Sequence, residues 1–238
     1  AMADQELSAT TETWDQDIWL FGTPGGTVEL RTGKLREARQ EDHITKIGGA
    51  GPVRGECPTW TRFLREATQY DDGLIRFLQQ MAGYCLTGSV REHALFFVYG
   101  TGGNGKSVFL NILNAVVGGY PATAAMDTFT ASQYDKHPTD LADLRGSRML
   151  SATETEEGRA WAEARIKQMT GGDPIKARFM RQDFFTYDPQ FKLVIVGNHM
   201  PVLRNVDEAV KRRFNIIPFV HKPKTPDPDL ELKLLAEL

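Results

Sequence analysis

Ala94-Leu-Phe-Phe-Val-Tyr99-Gly100-Thr-Gly-Gly-Asn-Gly105-Lys106-Ser107-Val108 is the stretch on which the fold turns. Ala94–Tyr99 is a short, continuous apolar run, the pattern of a strand buried on both faces of a parallel sheet. A glycine-rich turn follows. Val108, Phe109, Ile112, Leu113, Val116 and Val117 then recur at helical spacing, and Gly118-Gly119 ends the run. The turn satisfies G-x-x-x-x-G-K-[ST] in full. Its glycines let backbone N–H groups turn inward, and the helix N-terminus behind them adds partial positive charge. Gly100, Thr101, Gly102, Gly103, Asn104, Gly105, Lys106, Ser107 and Val108 therefore read as a phosphate cradle for ATP. Lys106 is placed to reach the β- and γ-phosphates, and the Ser107 hydroxyl to bind Mg²⁺.

Downstream, strands and helices alternate. Arg148–Thr153 is a weak strand candidate, because Ser151 and Ala152 carry little apolar area. Trp161–Met169 reads as a helix stopped by Gly171-Gly172, Phe179–Tyr187 as a charge-interrupted hairpin, and Lys192–Val196 and Phe214–Phe219 as buried strands. This order predicts an α/β fold, a P-loop NTPase-type parallel sheet flanked by helices. Phosphate hydrolysis needs carboxylates near the metal and the water. Glu154, at the end of the Arg148 strand, is the first candidate, as metal ligand or water-orienting group. Glu156 is the second, since residues i and i+2 share a face in extended chain. The bland alternative is an acidic first turn of the next helix. Asn198 follows the Lys192 strand, where ligands bind in doubly wound sheets, and can orient water. Lys211-Arg212-Arg213 offers an arginine to a neighbouring subunit's phosphate. Arg213 is preferred over Arg212, with a basic helix terminus as the plain alternative.

Upstream the texture differs. Thr27–Arg36 reads as two short strands about a Thr-Gly turn, Ile47–Pro58 as loop, and Trp60–Leu86 as two amphipathic helices split near Asp71-Asp72-Gly73. Residues 1–90 thus form a small, mainly helical region with nothing catalytic in it. Residues 91–220 are the motor. Residues 221–238 are a Pro-rich tail and the start of a helix. The chain has 238 residues, a net charge of −3 and two cysteines. That balance excludes a disulfide scaffold, a four-cysteine zinc site and a broadly basic nucleic-acid coat. The longest apolar runs are too short to span a bilayer, and no signal-peptide pattern opens the chain, so a cytoplasmic protein is expected.

The order of motifs resembles the superfamily 3 helicases. These motifs are Gly100–Ser107, Glu154-Thr-Glu-Glu-Gly158, Thr170-Gly-Gly-Asp-Pro-Ile-Lys-Ala-Arg-Phe179, Gly197-Asn-His-Met-Pro201 and Arg212-Arg-Phe214. The chain looks most like the helicase half of phage and plasmid primases and of the poxvirus primase-helicase. The resemblance implies an AAA+-type ATPase in a hexameric ring that moves on single-stranded DNA, in host cytoplasm if phage-encoded. It implies a primase or polymerase domain in the same full-length protein. Glu154 would be the Walker B acid, Asn198 sensor 1 and Arg213 the arginine finger. A channel hairpin would carry Lys176, Arg178 and Arg181 to DNA. Thr155 separates Glu154 from Glu156, which departs from the paired acids of many members. The alternatives are an ATPase that loads DNA without unwinding it, or a ring-assembly module.

Overall fold

The computed structural model describes residues 13–131, 139–154, 158, 160–203 and 206–238. Among these, the N-terminal part holds an antiparallel three-stranded sheet, β1 (Leu20–Thr23), β2 (Gly26–Glu29) and β3 (Lys34–Arg36), then helices α1 (Pro58–Ala67) and α2 (Asp72–Leu86). The rest runs β4 (Leu95–Tyr99), α3 (Lys106–Val117), β5 (Pro121–Thr123), α4 (Thr139–Ala142), β6 (Met149–Glu154), α5 (Glu163–Gly171), β7 (Ile175–Ala177), β8 (Phe185–Tyr187), β9 (Lys192–Gly197), α6 (Glu208–Lys211), β10 (Phe214–Pro218) and α7 (Leu230–Leu235). No helix among the described residues is long and apolar enough to cross a membrane.

The central sheet has five parallel strands in the order β10-β4-β9-β6-β5. Alternate residues of each strand serve two cores. Phe96, Val98, Val194 and Val196 pack with α1, α2 and α3, around Phe63, Leu78, Met81, Phe109 and Leu113. Leu95, Phe97, Leu193 and Ile195 pack with Trp161, α5 and the β7–β8 hairpin. Period-two alternation with both faces apolar is why these strands read as unbroken hydrophobic runs. The weakly apolar Arg148–Thr153 segment is a full strand, because Ser151 and Ala152 lie buried between two neighbouring strands. The hairpin differs from expectation: its strands are Ile175–Ala177 and Phe185–Tyr187, so residues 178–184 are its loop.

Two buried cations join the N-terminal elements to the sheet. The Arg148 guanidinium donates to the Leu86 and Leu20 carbonyls at 2.5 and 2.6 Å and lies over the Tyr120 ring. The Lys192 ammonium donates to the Thr87 and Gln190 carbonyls. Both donate to carbonyls at the C-terminal end of α2, where the helix leaves acceptors without helical partners. At α1 the cap comes from far along the chain: Glu237 accepts from the Thr59 and Trp60 N–H groups at 2.8 and 3.0 Å. The tail therefore folds back over α1 and α3.

Candidate active site at the strand ends

Register assembles the site. Tyr99 of β4 lies beside Gly197 of β9, and Gly197 lies beside Glu154 of β6. Three parallel strands thus end side by side, delivering the Gly100–Ser107 loop, Asn198 and Glu154 to one edge. The Gly100 N–H donates to the Gly197 carbonyl at 3.2 Å, which ties the loop to the central strand. Gly102, Gly103 and Gly105 have φ of 93°, 68° and 83°, the left-handed region that a side chain disfavours. Gly105 is the N-cap of α3, so the loop leads straight into a helix N-terminus.

Lys106 is buried. Its ammonium donates to the Gly100 carbonyl and to Asn104 Oδ1 at 2.9 Å, both belonging to the loop itself. Asn104 in turn donates to the Phe219 carbonyl at the end of β10. The lysine is thus held over the loop by acceptors that a phosphate can replace. Burial, aided by nearby Lys222, lowers its pKa. Thr101 and Ser107 are exposed, with Ser107 in the first turn of α3. Beside the loop is a cavity of about 440 Å³, lined by Phe63, Gly105, Val108, Pro223, Pro226 and Leu230 among others. That size suits a ligand larger than phosphate alone. Helix α1 and the tail, which carry no catalytic pattern, supply the walls that the loop and α3 do not.

Glu154 is 5% exposed. Its Oε1 accepts from the Trp161 indole N–H at 3.0 Å, and its Oε2 has no hydrogen-bond partner among the described residues. Burial raises its pKa, while the Trp161 bond and His199 act the other way. A buried oxygen without a partner, on a strand end one strand removed from the one that leads into the Ser107 loop, has the chemistry to serve a hard divalent cation, which takes one or two protein oxygens and shares the rest with phosphate and water. Among the described residues no three His, Cys, Asp or Glu side chains cluster as a self-sufficient cage. Glu156 lies outside the described residues. Asn198 and His199 are exposed just past β9.

The two arginines part company. Arg213 is buried within its own chain, donating to Thr170 Oγ1 at 3.1 Å and to the Ala209 carbonyl at 2.7 Å. To act on a neighbour it would have to break both bonds. Arg212 is exposed. Both precede β10, whose Phe214 pairs with Leu95 at the start of β4. They therefore sit at the far ends of the strands, about 17 Å from the loop at ~3.3 Å per residue. The hairpin is basic and aromatic. Lys176 and Arg178 each lie 4.8 Å from the Phe184 ring centroid, and Phe179 stacks on Phe185 at 5.6 Å. Arg181 is exposed in its loop with φ of 60°. The sequence reading missed Trp161 as a partner of Glu154, Asn104 as the lysine's anchor, and the cavity walls. Each depends on contacts that no local pattern encodes.

A parallel α/β sheet with a glycine-rich loop, a carboxylate and an asparagine on adjacent strand ends defines the class. Residues 98–213 match a family of unknown function (DUF5906), and residues 1–69 match a family described as D5 N terminal like. Two viral relatives bear the name "Putative helicase". L207/L206 of Acanthamoeba polyphaga mimivirus is 26% identical over 87% of this chain, and 022R of Frog virus 3 is 28% identical over 85%. The chain spans 22% and 23% of their lengths. The apo structure of the NrS-1 C terminal region superposes with a TM-score of 0.61 at 17% identity, over 78% of this chain and 44% of that one. The chain is thus similar in sequence to viral proteins named as putative helicases, and in fold to the NrS-1 C terminal region.

Proposed function

We propose that this chain is the ATP-hydrolysing motor of a replicative DNA helicase, working as a ring of identical subunits, a hexamer by family resemblance, on single-stranded DNA. One observation carries the reading: the in-register ends of β4, β9 and β6 bring Lys106, Asn198 and Glu154 to one edge. In this reading the loop N–H groups and Lys106 bind the ATP phosphates, exchanging the lysine's internal acceptors for phosphate oxygens. Ser107 and Glu154 hold Mg²⁺, which supplies charge neutralisation on the phosphates. Asn198 orients the attacking water. The cavity beside Gly105 receives the nucleoside. Arg212, exposed at the opposite strand ends, takes the arginine-finger role toward a second copy's phosphates, and Arg213 shapes the base from which it projects.

The hairpin cations Lys176, Arg178 and Arg181 would contact DNA phosphate. In a ring they would gather positive charge at one place on a chain whose net charge is −3. A primase or polymerase domain of the same full-length protein is the expected partner. The test is the ATPase rate with and without single-stranded DNA at several protein concentrations. The reading expects DNA stimulation and a per-subunit rate that rises with concentration. Nucleotide binding with a concentration-independent rate, insensitive to DNA, would contradict it. DNA-stimulated hydrolysis without strand separation in the full-length protein would favour a DNA-loading ATPase instead.

A further inference from the structure

Trp161 is 2% exposed and immobilised from three sides. Its ring meets Phe97 of β4 edge-on at 5.5 Å and Phe214, the residue after Arg213, at 5.7 Å. Its backbone N–H donates at 3.0 Å to the carbonyl of Val202, on the loop that carries Asn198. Its indole N–H donates to Glu154 Oε1 at 3.0 Å. A buried indole N–H needs an acceptor, and a backbone carbonyl would meet that need at less desolvation cost than a carboxylate. Here the acceptor is the acid of the site, held by one donor, while its second oxygen keeps no partner among the described residues. An ordinary core contact does not account for that arrangement. A device that fixes one carboxylate oxygen and presents the other does.

We infer that Trp161 is a positioning residue for Glu154, its indole N–H locking the carboxylate rotamer so that Oε2 faces the reaction edge beside Gly197. This rests on the ATPase reading above. Because the same ring also packs on Phe97 and Phe214, the carboxylate is indexed to the strand before the loop and to the strand after the arginines. Movement of either shifts the donor, and with it the acid.

The test separates the donor from the ring. Incorporating 3-benzothienylalanine at position 161 keeps the bicyclic shape and removes the N–H. Trp161→Phe is the simple genetic variant. Melting temperature and nucleotide affinity monitor folding. For the benzothienyl protein we expect a kcat about tenfold lower, the size of effect that removing an outer-shell partner of a carboxylate produces, with KM for ATP within about twofold. A benzothienyl protein with wild-type kcat, in a wild-type chain that turns over, overturns the role of Trp161 and leaves the ATPase reading standing. A higher KM and a lower melting temperature with kcat intact assign Trp161 to packing alone and also overturn it. A wild-type chain that neither binds nor hydrolyses ATP defeats the ATPase reading itself, and this inference with it.

Discussion

A methyl group on Gly197 would sit 2.6 Å from the Phe97 ring and 2.7 Å from Glu154 Oε2. The glycine is therefore the space in which the acid rests. Gly197→Ala should destabilise the fold by about 1–3 kcal/mol, the usual cost of overpacking. It should also lower turnover more than nucleotide affinity, which calorimetry and steady-state kinetics would show. Unchanged turnover would mean that Glu154 is not confined there. Lys192 makes a prediction about pH. Burial, first of all, pushes its pKa down to about 7, against 10.5 for an ordinary lysine. Above pH 7 the unfolded chain then holds a proton that the folded chain has released, so stability rises with pH. Neighbouring Cys85, pushed up to about 11 by burial, opposes this only once free thiols ionise near 9. Between pH 7 and 9, denaturant unfolding should show stability climbing in the wild type and a flatter profile in Lys192→Met. Parallel profiles would refute the assignment.

At the scale of elements, α5 spans the sheet. It begins beside Trp161 at the edge bearing Glu154, and in its last turn Thr170 meets Arg213 and His93 at the opposite strand ends. The basic hairpin follows at once. One helix thus links the acid, the arginine base and the hairpin. Arg213→Ala removes two buried hydrogen bonds of a charged group and should cost about 2 kcal/mol of stability. Arg212→Ala should leave melting unchanged and cut turnover by orders of magnitude, as for other trans arginines. The reverse pattern would return the finger to Arg213. For the hairpin, replacing Lys176 or Arg178 should reduce the slope of log DNA affinity against log salt by about one. An unaltered slope would remove the hairpin from the DNA path. The strand–loop–helix of 94–117 was legible because its signals are local: an apolar run, a glycine motif and a helical period. Strands β1 and β5 escaped. Leu20–Thr23 and Pro121–Thr123 are too short to show a period, and they exist through pairing with their neighbours.

For the whole molecule, a parallel α/β sheet followed from sequence, but its strand order and the way the parts close on one another did not. The cap of α1 comes from a residue 178 positions away, and the cavity beside the loop is walled by α1 on one side and the tail on the other. Neither the upstream helices nor the tail carries a chemical motif, so their part in the site is visible only once the chain is folded. Arg212 and Arg213 are neighbours in sequence with opposite fates, decided by Thr170 and Ala209. The central claim is that Lys106 and Glu154 serve one site in two roles, binding and turnover. The most direct measurement pairs equilibrium ATP binding with steady-state hydrolysis for Lys106→Ala and Glu154→Gln. The account expects Lys106→Ala to lose both, and Glu154→Gln to bind ATP as the wild type does while hydrolysis falls by at least about a hundredfold. Hydrolysis by Glu154→Gln at the wild-type rate would contradict it.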